Sequence, residues 1–502
     1  MRIEKNRSAS VGPNQFLVSV LIFQTRFALF LLAALVAMAG AGARAQTANP
    51  IVAHWLSSMP YTPNQDPLLL RQDDVRAAME LGLDGFIFDA FNLKQARGAL
   101  EVYLAAADKI GATNFKVALS ADMSQDFPAA DIVEVMKEYG DNPHYLKVNG
   151  RPLLSTFGGQ AKGDQWWKDN VITPLERSGH PVTFIPNFDR DNPNVDPPTR
   201  DAWDHVLGEY PTADGLFNFI LPGSLPFSSG DPRLGNHKWS GTEGSENLSA
   251  ALKARHKFYM ATYMPYYWAV CHSARQYLEF RGGQGMDAAW QSIILPRQAD
   301  AVEIVTWNDY TESTFVQPTL VPHTGTPGIP TLPHTGYYEL LKYYISWFRT
   351  HRPPSITKDA VFYFYRTQPI LPEPTTDTAC KMGPVDPRQL WGDVQDRIFI
   401  TTALTAPAQL RVTSGNRTST INVVAGLNNT EVPFIIGPQH FELWRNGKLV
   451  AKADGVPVTP TDSVQNLNVY SGFVISDGSS SANWTPGNRW KPNGMPDADW
   501  FQ

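Results

Sequence analysis

Residues 301–318 read AVEIVTWNDYTESTFVQP, an apolar run that stops at Trp307 and is followed at once by polar side chains. The apolar part is rich in β-branched residues and has the length of a buried strand. It is the last of eight such runs between residues 51 and 307, and the alternation of these runs with helix-like segments is typical of parallel βα units. The eight runs are IVAHW, GFIFDAF, FKVALSA, PLLSTFG, VTFIPNF, GLFNFIL, KFYMATY and VEIVTW.

Eight strands with intervening helices predict an α/β fold of the (β/α)8 TIM-barrel type. An open doubly wound sheet, which uses fewer strands, is the alternative. The segment GYYELLKYYISWFRTHRPP predicts the final outer helix. Five earlier segments carry apolar residues at helical spacing, and they read PLLLRQDDVRAAMELG, LKQARGALEVYLAAADKIG, PAADIVEVMKEYG, GDQWWKDNVITPLERSG and GMDAAWQSIILPRQA.

The character of the sequence changes after Pro353 and Pro354. Short runs rich in Val, Ile and Thr are separated by Gly or Asn turns, which is typical of an antiparallel β-sandwich. Within WRNGKLV, the Asn-Gly pair suits a type I′ hairpin turn. We therefore expect a catalytic barrel over 46–354 and a β-sandwich accessory domain over 355–502.

Residues 1–45 have the pattern of an export signal, with basic residues, an apolar stretch and the small-residue pattern at Ala43-Arg44-Ala45. An uncleaved membrane anchor is the alternative, because the apolar character extends back toward Phe16. We expect an exported protein, periplasmic or secreted, with no stable membrane insertion once the signal is removed. Two cysteines, Cys271 and Cys380, exclude a dense disulfide framework and leave open whether they pair.

The net charge of −6 and the absence of a basic cluster do not support a nucleic-acid surface. Aromatic residues make up 12% of the chain, including 14 Trp, and such rings fill cores but also stack on sugars. The histidines lack metal-ligand spacing, and GQGMDA at 283–288 lacks the context of a dinucleotide loop. We expect a monomer that acts on a polysaccharide without a metal or another cofactor.

Polar and aromatic side chains close the predicted strands, where barrel enzymes carry their chemistry. Hydrolysis of a glycosidic bond needs one carboxylic acid, one carboxylate, and rings that hold the sugar. The predicted catalytic pair is Asp309 and Glu312. The predicted substrate contacts are His54, Trp55, Asp84, Asp89, Asp122, Asn187, Asp189, Tyr263, Tyr266, Tyr267, Trp268, Trp307, Asn308 and Tyr310.

Structural explanations exist for several of these residues. Asp309 and Glu312 also suit a loop that caps a following helix, and their spacing fits either retention or inversion at the sugar carbon. Asp84 is also explained by a turn, Asp122 by an Asx turn, and His54 by packing in the core.

The motifs resemble those of glycoside hydrolase family 71, the α-1,3-glucanases or mutanases. The resemblance runs in order through VAHW, LGLDGFIFDAF, FKVALSADM, YLKVNGRPLLSTFGG, FIPNF, DGLFNF, YMATYMPYYW and VEIVTWNDYTES. It implies a barrel followed by a β-sandwich, and inverting hydrolysis of α-1,3-glucan by Asp309 and Glu312. Thr311 stands where the family usually has Gly, Asp84 matches the family's Asp in its GIDAF-like segment, and Asp89 stands where the family tends to have Asn.

The two roles require carboxyl groups whose pKa values differ, and we assign Glu312 as the general acid and Asp309 as the general base. Two other functions remain open from sequence. One is a related barrel glycosidase acting on another α-glycan, such as an endo-α-mannosidase. The other is a catalytically idle carbohydrate-binding protein.

Overall fold

A computed structural model describes residues 49–58, 66–188, 198–219, 241–268, 277–296, 299–318, 330–370, 375–377, 382–385, 395–461, 466–492 and 499–502. The part of the chain from Asn49 to Gln502 forms one compact unit. The predicted signal segment, Asp189, Cys271 and Cys380 lie outside the described residues. Among the helices that are described, none is long and apolar enough to cross a membrane.

Eight parallel strands form the central sheet, and each of the eight predicted runs overlaps one of them. The eight strands are β1 (Ile51–Leu56), β2 (Gly85–Ala90), β3 (Lys116–Asp122), β5 (Arg151–Phe157), β6 (Thr183–Asn187), β7 (Gly215–Leu216), β8 (Phe258–Tyr263) and β11 (Ala301–Ile304). Their spatial order is β7-β8-β11-β1-β2-β3-β5-β6. The short β4 (Lys147–Val148) adds an antiparallel hairpin to β5.

The central sheet is curled, and its two edge strands approach each other. Between β6 and the β7 region, Asp214 N donates to Phe184 O at 2.8 Å and Phe217 N donates to Pro186 O at 3.3 Å. The carboxyl ends of all eight strands therefore face one end of the curled sheet, which is the end where a site is expected.

Helices cover the outside of the curled sheet. They are α1 (Pro67–Leu81), α2 (Leu93–Ile110), α3 (Ala129–Tyr139), α4 (Asp164–Trp167), α5 (Thr173–Arg177), α6 (Arg200–Glu209), α7 (Glu243–Ala254), α8 (Gly283–Ala289) and α9 (Thr335–Thr350). Short 3₁₀ turns cover Met123–Gln125 and Gln160–Lys162, and π-helical turns cover Lys168–Ile172 and Trp290–Ile294. The sequence did not predict α6 and α7.

Local sequence explains the limits of α1. Asp66 caps its start by accepting a hydrogen bond from Leu68 N, and Pro67 occupies the first turn, where no backbone donor is needed. The helix ends at Gly82, whose φ of 100° is left-handed. A Cβ atom there would come within 2.8 Å of Ile345 in α9, so glycine also allows the two helices to approach.

Side chains alternate between the two faces of the strands, as the pleat requires. The outward residues Phe86 and Phe88 of β2 pack on Tyr103 of α2 and form the core between sheet and helices. The inward residues include Asp89 on β2 and His54 on β1, which contact each other. The interior of the curled sheet is thus polar near its carboxyl end.

Two four-stranded antiparallel sheets follow α9. One has the order β18-β15-β12-β21 and the other the order β17-β16-β19-β20. Residues from both sheets share one apolar cluster. The strands are β12 (Ala360–Arg366), β15 (Arg397–Leu404), β16 (Ala408–Ser414), β17 (Arg417–Val423), β18 (Gly426–Pro433), β19 (Gly437–Arg445), β20 (Lys448–Val458) and β21 (Val469–Ile475).

Two short strand pairs and one hairpin turn complete the description of the fold. The pairs are β9 (Tyr267–Trp268) with β10 (Tyr277–Leu278), and β13 (Thr375–Asp377) with β14 (Met382–Val385). The predicted hairpin turn is confirmed, since Asn446 and Gly447 have φ values of 50° and 75° between β19 and β20. Positive φ at both residues is the signature of the type I′ turn.

The C-terminal region returns to the helices around the central sheet. Trp500 stacks on Tyr343 of α9 with ring centroids 5.4 Å apart, and Arg489 binds Glu339 of the same helix at 3.1 Å. The boundary at residue 354 stays a prediction, and side chains on its two sides share a buried interface.

Candidate active site

The loop after β11 carries both predicted catalytic carboxylates. Thr306 N donates to Thr314 O at 3.0 Å and Val316 N donates to Thr306 O at 2.9 Å, so the loop folds back on itself. Trp307 N donates to His54 O at 2.7 Å, which joins the loop to β1. The loop is therefore fixed at the carboxyl end of the sheet.

Asp309 is only 4% exposed, and its Oδ1 accepts three hydrogen bonds. The donors are Thr311 N at 3.0 Å, Thr311 Oγ1 at 2.8 Å and Glu312 N at 3.0 Å. These three bonds form an Asx-type turn, which is the purely structural role that the sequence also allowed for Asp309. Burial, and then the charge of Glu312, nevertheless raises the pKa of Asp309 to about 7. Asp309 is thus a residue that holds the loop and also a carboxyl group that retains a proton near neutral pH.

Glu312 is half-buried and lies beside Tyr267 of β9. The Tyr267 hydroxyl hydrogen-bonds to Glu312, and burial followed by the charges of Glu312 and Asp309 raises the pKa of Tyr267 well above its usual range. Trp268 N donates to Glu312 O at 2.9 Å. The β9 segment therefore holds Glu312 through both backbone and side chain.

A second group of charged side chains lies inside the curled sheet. His54 Nδ1 is 2.8 Å from Glu303 Oε1, and His54 Nε2 is 3.2 Å from Asp89 Oδ2. All three side chains are buried. Burial by itself lowers the pKa of His54, but the hydrogen bonds and charges of Asp89 and Glu303 outweigh it and raise that pKa to about 10. The two acids therefore favour the protonated form of His54.

Asp122 and Asn187 lie at the ends of β3 and β6. Asp122 Oδ1 accepts a hydrogen bond from Ser124 N at 2.7 Å, as an Asx turn does. Burial, and then the charge of Asp89, raises the pKa of Asp122 to about 6. Asn187 Oδ1 accepts from Phe219 N at 3.4 Å. Both residues border the polar interior.

The structure therefore brings together several of the predicted site residues. One group lies at the carboxyl ends of four strands and consists of His54, Asp89, Asp122 and Asn187. Tyr267, Trp268, Asp309 and Glu312 form the adjoining group on β9 and the loop after β11.

Four predicted aromatic contacts point away from this site. Trp55 packs on Phe88 with Arg71 over its ring. Trp307 donates from Nε1 to Asp74 Oδ1 at 3.1 Å, on the helix side of the sheet. These placements do not support a substrate contact for either ring, and the assignment stays a prediction. Trp55 follows the inward-facing His54 on β1 and therefore lies on the opposite face of the sheet.

Tyr263 and Tyr310 are the other two. The Tyr263 ring lies 5.9 Å from Trp290 among the helices. The Tyr310 hydroxyl donates to Gln317 within its own loop, and its ring packs on Phe315. Neither placement supports a substrate contact.

Three further predicted contacts have structural partners. Asp84 lies at the start of β2, at the opposite end of the sheet, where Oδ2 accepts from Ile51 N at 2.8 Å and pairs with Arg349 at 2.9 Å. Asn308 uses both amide atoms to bind the backbone of Leu56.

Tyr266 belongs with them. Its hydroxyl donates to Leu467 O in the C-terminal region. The Tyr266 side chain is buried there, so it joins the two regions of the molecule.

Two residues at the site escaped the sequence analysis. Glu303 is fully buried on β11 and contacts His54, and its charge within the apolar run VEIV was the signal that could have identified it. Thr311 was noted only as a departure from Gly, whereas its hydroxyl binds the carboxyl group of Asp309.

Glycoside hydrolases cleave sugar linkages with a pair of carboxyl groups, of which one holds a proton and the other is ionised. Asp309 is buried and holds a proton, and the neighbouring Glu312 is more accessible. The profile of glycosyl hydrolase family 71 matches residues 47–483. The chain belongs to glycosyl hydrolase family 71 and is a glycoside hydrolase.

Curated relatives extend over most of the chain. A glucan endo-1,3-alpha-glucosidase of Schizosaccharomyces pombe is 27% identical over 453 residues, which cover 84% of this chain and 94% of the relative. A mutanase of Penicillium rubens is 28% identical over 420 residues, covering 82% and 86%. An ascus wall endo-1,3-alpha-glucanase of Schizosaccharomyces pombe is 25% identical over 407 residues, covering 77% and 86%.

Solved structures show a more distant likeness. The GH99 endo-alpha-mannosidase of Bacteroides thetaiotaomicron has a TM-score of 0.45 at 12% identity, and the match covers 60% of this chain and 98% of that one. An FMN-binding beta-glucuronidase has a TM-score of 0.43 at 8% identity, covering 83% and 57%.

Proposed function

We propose that this protein hydrolyses α-1,3-glucosidic bonds in α-1,3-glucan, with inversion at the anomeric carbon. The observation that carries the proposal is the pair Asp309 and Glu312, held on one loop at the carboxyl end of the sheet. The names of the three relatives support the substrate, since each denotes an α-1,3-glucanase or a mutanase. The family resemblance supports inversion.

We assign Asp309 as the general acid and Glu312 as the general base, the reverse of the sequence-based assignment. Burial and the charge of Glu312 keep a proton on Asp309 up to about pH 7, and a general acid must be protonated before it can protonate the leaving oxygen. Its three donors all bind Oδ1, so Oδ2 is the oxygen that delivers the proton. Glu312 is more accessible and suits the base that activates a water molecule.

Substrate contacts follow from the same placement. Asp89, Asp122 and Asn187 offer oxygen atoms to sugar hydroxyl groups from three strand ends. Tyr267 and Trp268 lie next to the carboxylate pair and are the aromatic residues that we retain as sugar contacts. Asp189 remains a proposed contact on the basis of sequence alone.

Finer features of the fold and of the location belong to the proposal. The backbone bonds between β6 and the β7 region support a closed (β/α)8 barrel, and the shared apolar cluster supports a β-sandwich. The pattern of residues 1–45 supports export to the periplasm or the medium, and we propose that the mature protein is a monomer that needs no cofactor.

The test is the release of reducing sugar from insoluble α-1,3-glucan by the mature protein, with the product anomers followed by NMR. We expect inverted product, and a loss of about 10²–10⁴-fold in kcat for Asp309→Asn and for Glu312→Gln. Parallel assays on α-mannan and on other α-glucans identify a different linkage. A folded wild type that binds α-1,3-glucan but releases no sugar from any of these would refute hydrolysis.

The two roles are separated by a substrate that needs no protonation of its leaving group. An α-glucosyl fluoride of the 1,3-linked series is suitable, because fluoride departs without a general acid. We expect Asp309→Asn to cleave the fluoride far better than the glucan, whereas Glu312→Gln cleaves neither. The reverse pattern would restore the sequence-based assignment.

A further inference from the structure

Glu303 is a carboxylate inside the curled sheet that the proposed reaction does not use directly. It stands on β11 in register with Val52 of β1 and Thr262 of β8. Its side chain is 0% exposed, its Oε1 binds His54, and its Oε2 has no hydrogen-bond partner among the described residues. Burial of a carboxylate with only one hydrogen-bonded oxygen lowers the stability of the fold. Such a group is therefore a candidate for a functional role.

The geometry around His54 defines what Glu303 does. Both ring nitrogens face carboxylate oxygens, at 2.8 Å and 3.2 Å. A neutral imidazole has one N–H donor and could satisfy one carboxylate only. Ionised carboxylates only accept hydrogen bonds, so a ring that binds two of them donates from both nitrogens and has the imidazolium form.

The remaining neighbours of His54 act in the same direction or are uncharged. Asp122 of β3 interacts with the His54 charge from one side. The ring of Phe219 packs edge-on against the imidazole with centroids 4.9 Å apart. Among the described residues, the acids that interact with His54 are therefore Asp89, Glu303 and Asp122.

We infer that Glu303 is a positioning residue that keeps His54 as a doubly donating imidazolium, so that His54 fixes Asp89 for a sugar hydroxyl group. His54 binds Asp89 through Oδ2. The other carboxylate oxygen of Asp89, Oδ1, is then left to accept from the substrate. The sugar contact of Asp89 rests on the proposed function, whereas the state of the His54 ring does not.

The first experiment measures the His54 ring directly by ¹⁵N NMR of the full-length mature protein labelled at histidine. The His54 signals are assigned by their absence in His54→Gln. We expect both ring nitrogens to carry protons at pH 8 in the wild type. In Glu303→Gln, which preserves the size of the side chain, we expect the pKa of His54 to fall by about 1–3 units.

Activity on α-1,3-glucan forms the second arm. We expect Glu303→Gln to reduce kcat/KM by about 10–100-fold, because a displaced contact at a reacting sugar has effects of this size. Asp89→Asn should have a similar effect, and the double variant should lose less than the product of the two losses, since the residues act through one chain of contacts.

The matched control is Glu339→Gln, which removes another fully buried carboxylate, located among the outer helices. It should leave the NMR signals of His54 unchanged. Melting temperatures of all variants are measured at the same pH to confirm folding.

Two outcomes would overturn the inference. One is a wild-type His54 that has a single ring proton at pH 8, a result that needs no variant to fold. The other is a Glu303→Gln protein with an unchanged His54 signal and unchanged kcat/KM. Absence of glucan hydrolysis in the wild type would refute the proposed function alone, because the NMR measurement contains no substrate.

Discussion

Two buried groups of charged side chains differ in how well their charges are matched. Between the outer helices and the C-terminal tail, Lys342 contacts Glu80 at 3.0 Å and Glu339 at 2.8 Å, and Arg489 contacts Glu339 at 3.1 Å and Asp499 at 2.7 Å. There two cations serve three acids, and each acid has a close cation. We call this group the outer ionic cluster.

Inside the curled sheet and on the adjoining loop the excess of acids over cations is larger, and not every acid in the part of the chain that the structure describes has a close cation. Within the described residues, His54 contacts Asp89 and Glu303, while Asp122 and Asp309 have raised pKa values because burial and neighbouring acids disfavour their charged forms. Charges that each have a close partner, as in the outer ionic cluster, hold structural elements together. Charges without such a partner are retained where the chemistry of a site requires them. We call His54, Asp89, Glu303, Asp122 and Asp309 the inner group. The comparison predicts that the outer ionic cluster contributes to stability and that the inner group contributes to activity.

The largest effect on stability is expected from Lys342→Met. The change leaves Glu80 and Glu339 buried with fewer cations, so the free energy of unfolding should fall by about 3–5 kcal/mol. Urea unfolding followed by tryptophan fluorescence measures it, with the exposed Lys452→Met as control. A loss below about 1 kcal/mol, the range of surface ion pairs, would show that the outer ionic cluster does not stabilise the fold.

Asp309→Asn is expected to have the opposite effect on stability. The pKa of Asp309 is raised from its ordinary value of 3.8 to about 7 in the folded protein, so the folded state binds the proton more tightly than the unfolded state does. The group's contribution to stability is therefore fully present below about pH 4 and is lost as the pH rises through 7. Near pH 8 the variant should be more stable than the wild type by about 2–4 kcal/mol.

The check on this prediction is the difference in free energy of unfolding between the two proteins at pH 4 and at pH 8. The difference should be small at pH 4, where Asp309 is protonated in the folded state. A gain in stability that is equal at both pH values would show that relief of a buried charge is not its cause.

The fold was predictable from sequence to the extent that apolar runs are visible in it. All eight strands were found because each run is continuous and bounded by turn residues. The helices α6 and α7 were missed because few apolar residues mark their buried sides: Trp203, Val206 and Leu207 in α6, and Leu248, Ala251 and Leu252 in α7, where the other buried residues are glycine and serine. The site was only partly predictable. Trp55 and Tyr263 stand at the ends of apolar runs as His54 and Asp89 do, and only the alternation of side chains along each strand decides which of them face inward. The direction of Trp307 depends on the path of the loop after β11, which the sequence does not show.

A smaller effect is expected from Asp84→Asn, which tests an assignment that the structure changed. Asp84 pairs with the partly exposed Arg349 at the end of the sheet opposite the site. Asparagine keeps an acceptor for Ile51 N, so the loss should be about 0.2–1 kcal/mol. The kcat/KM on α-1,3-glucan should stay within about twofold, and a loss of 100-fold or more would place Asp84 back in the site.

Thr311→Val gives the smallest effect and the sharpest reading of the inner group. The hydroxyl of Thr311 donates to Asp309 Oδ1 at 2.8 Å, and a bond to the charged form lowers a carboxyl pKa. Valine has the same shape without the donor, so the pKa of Asp309 should rise by about 0.5–1 unit.

The pH profile of kcat/KM shows which role Asp309 has. A general acid must be protonated, so a higher pKa moves the alkaline limb of the profile upward. A general base must be ionised, so the same rise would move the acidic limb instead. Thr311→Ser, which keeps the hydroxyl, should leave both limbs in place. At pH 6 and below Asp309 stays protonated in both folded proteins, so the free energy of unfolding should hardly change there; well above pH 8 the higher pKa should cost about 0.7–1.4 kcal/mol, and the pH profile of activity should shift.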